Sequence, residues 1–437
     1  MERNSFSKYE KNKITKLCYE FFSPSWVMKI NNPPSLLMCI QSFLHRVLYY
    51  IWHVDMKEPC IKELIFFSTS VNNNNALKPI WEKIPEEDRV IWGSDFIFSE
   101  TKISIYSFLF FFSFLKIYGG LSKKEKLVAR EYNYWFINIL GYYKVIGNLL
   151  KRNKNKIKLV IMANDHSPVN QCIIENCIKY GIKTLYIQHA SVNDEFPPNR
   201  FSYSFLDGLD SCRKYLSIRE FTGKAFLSGS TRFDTLKNQV YLSKYVGIAI
   251  NTMDDFDKIF SLCRYLVEHD INNIIMRPHP RLELKIYEIE KIRNLGIELS
   301  DSKTENPFSF IAKLKLLISN ESSIHLEALL MHVPSVQFNF STLPFLDHYS
   351  FVKKGITPFY ENYEDVEKEC MAPHVVSLGM IKEWNAAYGT KYDGKVSDVI
   401  YNFIKNLKNG TEKDYIDSIF KFNTKGYYEY KENFERV

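Results

Sequence analysis

Short apolar runs alternate along this chain with longer stretches whose apolar positions recur every three or four residues. The first pattern is that of buried strands and the second that of amphipathic helices. Residues 63–68 read as a buried strand, 69–75 as a polar loop, 76–84 as a helix and 89–92 as a second strand. A helical region follows at 124–152, with a break expected near Gly141. The clearest unit comes next: a strand at 158–162, the turn Ala163-Asn164-Asp165-His166, a helix at 167–180 with Pro168 in its first turn and Gly181 as its stop, and a strand at 184–189. Short strands follow at 203–206 and 224–227. A second block then runs strand 245–250, helix 254–269, a strand ending in Arg277-Pro278-His279-Pro280, helix 282–295 and a strand at 297–299. It closes with a strand that stops at Ser319-Asn320-Glu321, a helix opened by Ser322-Ser323, and a further strand entered at Val333-Pro334-Ser335-Val336. Strands that alternate with helices imply parallel sheets.

Two such blocks in 437 residues predict two domains, each large enough for its own core. The expected division is a helical extension over 1–58, an acceptor-side domain over 59–235, a donor domain over 236–390 and a helical segment over 391–437. The junction falls near 229–244. A helix at 395–408 belongs to the last segment.

Two other stretches are apolar without belonging to a sheet. Residues 35–52 carry Gln41, His45 and Arg46 and read as an amphipathic helix. Residues 103–115, flanked by Lys102 and Lys116, read as a buried helix. A bilayer span needs about 20 apolar residues, and neither stretch supplies them. The first 16 residues are polar and charged and do not read as a secretory signal.

Composition narrows the class. With 46% hydrophobic and 24% charged residues the chain is globular rather than disordered. A net charge of +7 suits an acidic ligand or an anionic membrane surface. No zinc finger, RNA-recognition signature or dense basic run points to nucleic acid. The eight cysteines are scattered with no C-x-x-C pair, so neither a disulfide framework nor a metal site is expected, and a reducing, cytoplasmic compartment fits. The basic and aromatic segments at 11–46 and 421–431 suit peripheral contact with the inner face of the cytoplasmic membrane.

Candidate chemistry gathers at strand ends. In open α/β sheets, ligands bind beyond the carboxyl ends of the strands. In the second block one such end delivers His279, with Pro280 after it and Arg277 before it; another delivers Ser322 and Ser323, with Glu327 one turn inside the helix. An open helix N-terminus offers unpaired N–H groups to phosphate, although a serine there also serves as a plain cap. In the first block Asp165 is placed to accept a proton from an acceptor hydroxyl or to cap the helix that follows. His166 and His189 are the other candidates for the base. Gly229-Ser230-Thr231-Arg232 forms a small turn that can approach a phosphate or serve as an interdomain hinge.

The His-Pro and Ser-Ser pair, in this order and ahead of Val333-Pro334, resembles the motifs of bacterial sialyltransferases and polysialyltransferases. Kdo transferases and CDP-glycerol glycerophosphotransferases carry similar elements. The resemblance covers roughly residues 59–341 and is one of motif order. It implies an α/β chain of GT-B architecture, with two Rossmann-like domains facing across a cleft and a last helix crossing back to the first domain. It implies a cytidine nucleotide held by Gly229, Ser230, Arg277, His279, Pro280, Ser322, Ser323 and Glu327, and a catalytic set of Asp165, His166 and His189. The polysialyltransferase base lies in an acidic-Gly motif, where this chain has Asp165-His166. Gln188-His189-Ala190 is similar to the Gln-His-Gly whose His is the proposed base of the glycerophosphotransferases, with Ala190 replacing the Gly.

The implied activity is metal-independent transfer of a sugar acid, of sialic or Kdo type, from a CMP-linked co-substrate to a capsule or lipopolysaccharide glycan, with no further cofactor. CDP-glycerol or CDP-ribitol phosphotransfer is the alternative, as is a nucleotide-sugar 2-epimerase-like enzyme, although that family has Ser-Gly-Gly where this chain has Glu321-Ser322-Ser323.

Overall fold

The computed structural model describes residues 32–54, 60–68, 70–192, 196–234, 244–347 and 349–431. It contains two sheets. The strands of the first are β1 (Leu64–Phe67), β2 (Arg89–Trp92), β3 (Leu159–Met162), β4 (Thr184–Ile187), β5 (Tyr203–Leu206) and β6 (Lys224–Leu227). The second has β7 (Tyr245–Ile250), β8 (Ile274–Pro278), β9 (Glu298–Leu299), β10 (Leu314–Ser319), β11 (Ser335–Phe338) and β12 (Phe359–Tyr360). A C-terminal hairpin, β13 (Phe420–Asn423) and β14 (Tyr427–Tyr430), returns to the first sheet. The strand orders are β13-β14-β6-β5-β4-β3-β1-β2 and β12-β11-β10-β7-β8-β9, and β13 with β14 is the antiparallel pair.

Both sheets are parallel through their centres because helices cover both faces. In β1 and β3, alternate residues enter opposite cores. Ile65, Phe67, Val160 and Met162 pack with the Asn133–Asn153 and Pro168–Tyr180 helices. Leu64, Phe66, Leu159 and Ile161 pack with the Val396–Asn409 helix. That C-terminal helix therefore crosses back to the first sheet, where Phe403 meets Phe205 at 5.2 Å between ring centroids. Segment 391–437, expected to be helical, ends in the β13–β14 hairpin. The basic and aromatic stretch at 421–431 is thus a sheet edge in which Lys421 faces Glu429 at 3.4 Å. Part of the 11–46 stretch and the middle of the 229–244 junction lie outside the described residues.

Several element boundaries differ from the sequence reading. The helix expected at 76–84 is Val71–Trp81, because Ser70 accepts from the Asn73 N–H at 3.2 Å and starts it a turn earlier. The helical region at 124–152 breaks at Tyr132, between Lys123–Glu131 and Asn133–Asn153, and not at Gly141. Gly141 serves close packing instead: a Cβ there would run into the Ile103 carbonyl and the Ser107 hydroxyl. The buried helix expected at 103–115 is two helices, Glu100–Leu109 and Phe111–Gly119, bent by 61° at Phe110, and much of their surface is exposed. The helix Leu209–Ile218 had no counterpart in the reading.

Candidate functional site

The acceptor-side cluster grows from the turn after β3. Asn164 Oδ1 accepts the backbone N–H groups of His166 (2.8 Å) and Ser167 (3.0 Å), closing an Asx-type turn. Ser167 then caps the Pro168–Tyr180 helix, accepting from the Asn170 N–H at 3.3 Å. With the cap supplied by Ser167, Asp165 is turned inward. It is 1% exposed, and both of its oxygens are engaged: Oδ1 with His166 Nδ1 at 3.0 Å, and Oδ2 accepting the Tyr215 hydroxyl at 2.6 Å. The Tyr186 hydroxyl lies 3.3 Å from that of Tyr215. Burial, and then the Asp165 charge, push both tyrosines well above the usual phenol range, so they remain donors.

His166 is the member of this network that reaches solvent, at 37% exposed. Its ring lies 4.9 Å from that of Phe196 and 6.1 Å from that of His189. With Nδ1 directed at Asp165, a neutral ring that donates there would carry its lone pair on Nε2. His189, just beyond β4, is buried. Desolvation, then the neighbouring His166, lower its pKa to about 4, so it stays neutral. Its Nδ1 meets no polar partner among the described residues.

The donor-side residues lie at the carboxyl ends of β8 and β10, on either side of β7. The order reverses between β7 and β10, which makes this the switch point of the sheet. Asn251 and Asn320 tie the ends of β7 and β10 together: Asn251 donates to the Glu321 carbonyl at 3.3 Å, Asn320 to Asp254 Oδ1 at 2.8 Å, and Asp254 Oδ2 accepts the Asn251 N–H at 2.7 Å. His279 N–H donates to the Ile250 carbonyl at 2.9 Å, and its Nδ1 accepts the Arg281 N–H at 3.1 Å. Burial, then Arg281 and Arg277, lower the His279 pKa. Arg277 is buried, donating to Ser300 Oγ at 3.0 Å and the Glu305 carbonyl at 2.8 Å. Pro280 is exposed, and Ser322 and Ser323 are partly so. The Ile324–Leu330 helix after them is only seven residues long, and the Ser323 side chain makes no cap. The helix-terminus argument for phosphate therefore does not apply there; what remains are two accessible hydroxyls. His325, which the sequence reading did not select, is buried with Nε2 on the Asn320 carbonyl at 3.0 Å, and burial lowers its pKa to about 4.

Arg232 joins the two halves. Its side chain is nearly buried; Nε donates to Ser230 Oγ at 3.2 Å, one terminal nitrogen lies 3.4 Å from Asp207 Oδ2 and the other 3.8 Å from Glu327 Oε1. Asp207 follows β5 in the first sheet, and Glu327 follows β10 in the second, so both carboxyl edges open on one cleft. Burial raises the Asp207 pKa to about 6 and also raises that of Glu327, against the pull of Arg232 on each. Gly229, at φ +83°, has no room for a Cβ because Asn385 and Ala387 pack on it, so it serves the junction. The structure thus gathers Asp165, His166 and His189 on one side, and Ser230 and Glu327 around Arg232. His279 and the serines lie at the neighbouring strand ends. Among the described residues no group of three His, Cys, Asp or Glu side chains is placed to hold a metal ion.

No protein-family model matches the chain, and no curated protein matches it in sequence. Solved structures do match. The S. aureus MnaA–UDP co-structure superposes with a TM-score of 0.50 at 13% identity, covering 80% of this chain and 97% of that one. This chain has the GT-B fold. The UDP-GlcNAc 2-epimerase from Neisseria meningitidis bound to UDP-GlcNAc is similar at a TM-score of 0.49 and 14% identity, covering 80% of this chain and all of the other. The wall teichoic acid polymerase TagF has a TM-score of 0.43 and 13% identity, covering 86% and 98%. At these identities the likeness concerns the GT-B fold alone, and the sialyltransferase resemblance rests on the motifs.

Proposed function

We propose that this protein is a glycosyltransferase that moves a sugar acid from a CMP-linked donor to a bacterial surface glycan, with His166 as the base. The observation that carries the reading is the buried Asp165 carboxylate, held by Tyr215 and engaged with His166 Nδ1, at a strand end that opens on the cleft. Asp165 itself is enclosed and has both oxygens engaged, which favours a positioning role over that of the base. In the proposed reaction His166 Nε2 takes the proton of an acceptor hydroxyl. That oxygen forms the new bond to the anomeric carbon as the bond from this carbon to the CMP phosphate breaks, and CMP departs with the electron pair. His279, Arg232, Ser322 and Ser323 are the groups placed to stabilise the departing phosphate.

Thermal shift with CMP, CDP and UDP against buffer tests the donor assignment. Stabilisation grows as RT ln(1 + [L]/Kd), so the preferred nucleotide shows directly. CMP is expected to give the largest shift. A larger shift with CDP would favour phosphotransfer, and one with UDP an epimerase-like enzyme.

A further inference from the structure

Away from the cleft, the helices Leu36–Trp52, Glu100–Leu109 and Phe111–Gly119 form one face. Phe43 stacks on Phe111 at 5.4 Å, and the Thr101 hydroxyl donates to the Tyr50 carbonyl at 3.1 Å, so they pack as a unit. Their inward residues, such as Cys39, Val47 and Phe114, form a small core. Their outward side is also apolar: Leu37 is 65% exposed, Leu48 58%, Trp52 82%, Leu109 65% and Phe112 83%. A helix face turned to water is ordinarily polar. Among the described residues of these helices there is no exposed acid. Leu36–Trp52 and Phe111–Gly119 contain no Asp or Glu, and Glu100 is turned to the Tyr134 and Tyr142 hydroxyls. Lys116 is exposed on them instead, while Arg46 is half-buried with its guanidinium 4.3 Å from the centroid of the Tyr134 ring. A cavity of about 210 Å³ opens beside them, walled by Ile97, Phe98, Ile105 and Leu149 together with Lys102 and Arg152.

We propose that this face seats in the interface of an anionic phospholipid bilayer, its apolar side chains entering the acyl boundary and Lys116 meeting headgroup phosphates. Aliphatic and Trp side chains beside cations, without acids, match a lipid interface; protein-binding patches are depleted in Lys. The helices lie on the membrane rather than span it. No single helix among the described residues is long and apolar enough to cross, and the bent pair Glu100–Leu109 and Phe111–Gly119 buries Ile103 and Phe114 in the protein. The inference does not depend on the nucleotide assignment.

The test is flotation of the full chain with phosphatidylcholine vesicles, with and without phosphatidylglycerol. Binding is expected with phosphatidylglycerol. Trp52→Glu and Phe112→Glu, both at exposed positions, are each expected to weaken it about tenfold or more, since burying an aromatic of this size contributes at least that much. Their melting temperatures and nucleotide-induced shifts should match those of the unaltered chain. Absence of binding to the anionic vesicles, or equal binding by both variants, would overturn the proposal. So would a concentration-dependent dimer that the variants abolish, since a second copy would then cover the face. Vesicle-bound protein that resists carbonate would overturn surface seating in favour of insertion.

Discussion

The strand ends that face each other across the cleft are built in opposite ways. After β3, Asp165 is enclosed, with one oxygen engaged by His166 and the other accepting Tyr215 from the Leu209–Ile218 helix. After β8 and β10, His279, Ser322 and Ser323 stay partly open, and His279 Nδ1 and Ser322 Oγ accept from backbone N–H groups. A group that must move a proton in a fixed direction gains from a locked tautomer and orientation. A group that must take up a ligand's phosphate has to remain accessible to it. The contrast supports the proposal that chemistry takes place at the first edge and binding at the second.

The largest expected effect breaks the first edge alone. His166→Ala should lower kcat by about 10² to 10⁴-fold, the usual contribution of a general base, with CMP affinity unchanged. Asp165→Asn should lower kcat in the same direction by misplacing the ring, and Tyr215→Phe should do so more weakly.

The buried histidines sharpen the contrast through stability. His189 and His325 have folded pKa values of about 4, below the usual value near 6.5. Between these values the unfolded chain binds protons that the folded one does not, so stability falls as pH drops from 6.5 to 4. Asp207, raised to about 6, acts oppositely: between pH 6 and its usual value the folded state binds the extra proton and gains stability. Two histidines against one carboxyl leave a net loss of up to roughly 4 kcal/mol from these groups. Denaturant titrations from pH 7 to pH 4 should show the decline, and His325→Gln should flatten it.

The binding edge gives smaller effects. His279→Ala should weaken CMP binding by about 1.5–3 kcal/mol if its contact with phosphate is charge-assisted, and Ser322→Ala with Ser323→Ala by about 1 kcal/mol for each neutral hydrogen bond. Calorimetry measures both; unchanged affinity in all three would remove the donor from this edge.

What was legible in the sequence follows from range. β1, β3, β4, β7 and β10 announce themselves as apolar runs, and Pro168 with Gly181 brackets a helix to within one residue. His166 beside Asp165 was visible as a pair. Which of them is enclosed was not, because the answer depends on Tyr215, fifty positions away. The sequence places Arg232 in a small turn, but its reach to Asp207 and Glu327 requires both sheets to be in place. Gly141 was read as a helix break because glycine weakens helices; its role is set by Ile103 and Ser107 on another helix. The hairpin β13–β14 is not evident in the sequence because the strand it joins, β6, lies nearly half the chain away, with Tyr428 beside Phe226.

The most direct test of the account is rescue of turnover by added imidazole. If His166 is the base, His166→Ala should be nearly inactive at unchanged CMP affinity and regain part of its turnover with imidazole, whereas Asp165→Asn, which keeps the ring, should not respond. Full turnover in His166→Ala, or rescue confined to His189→Ala, would contradict it.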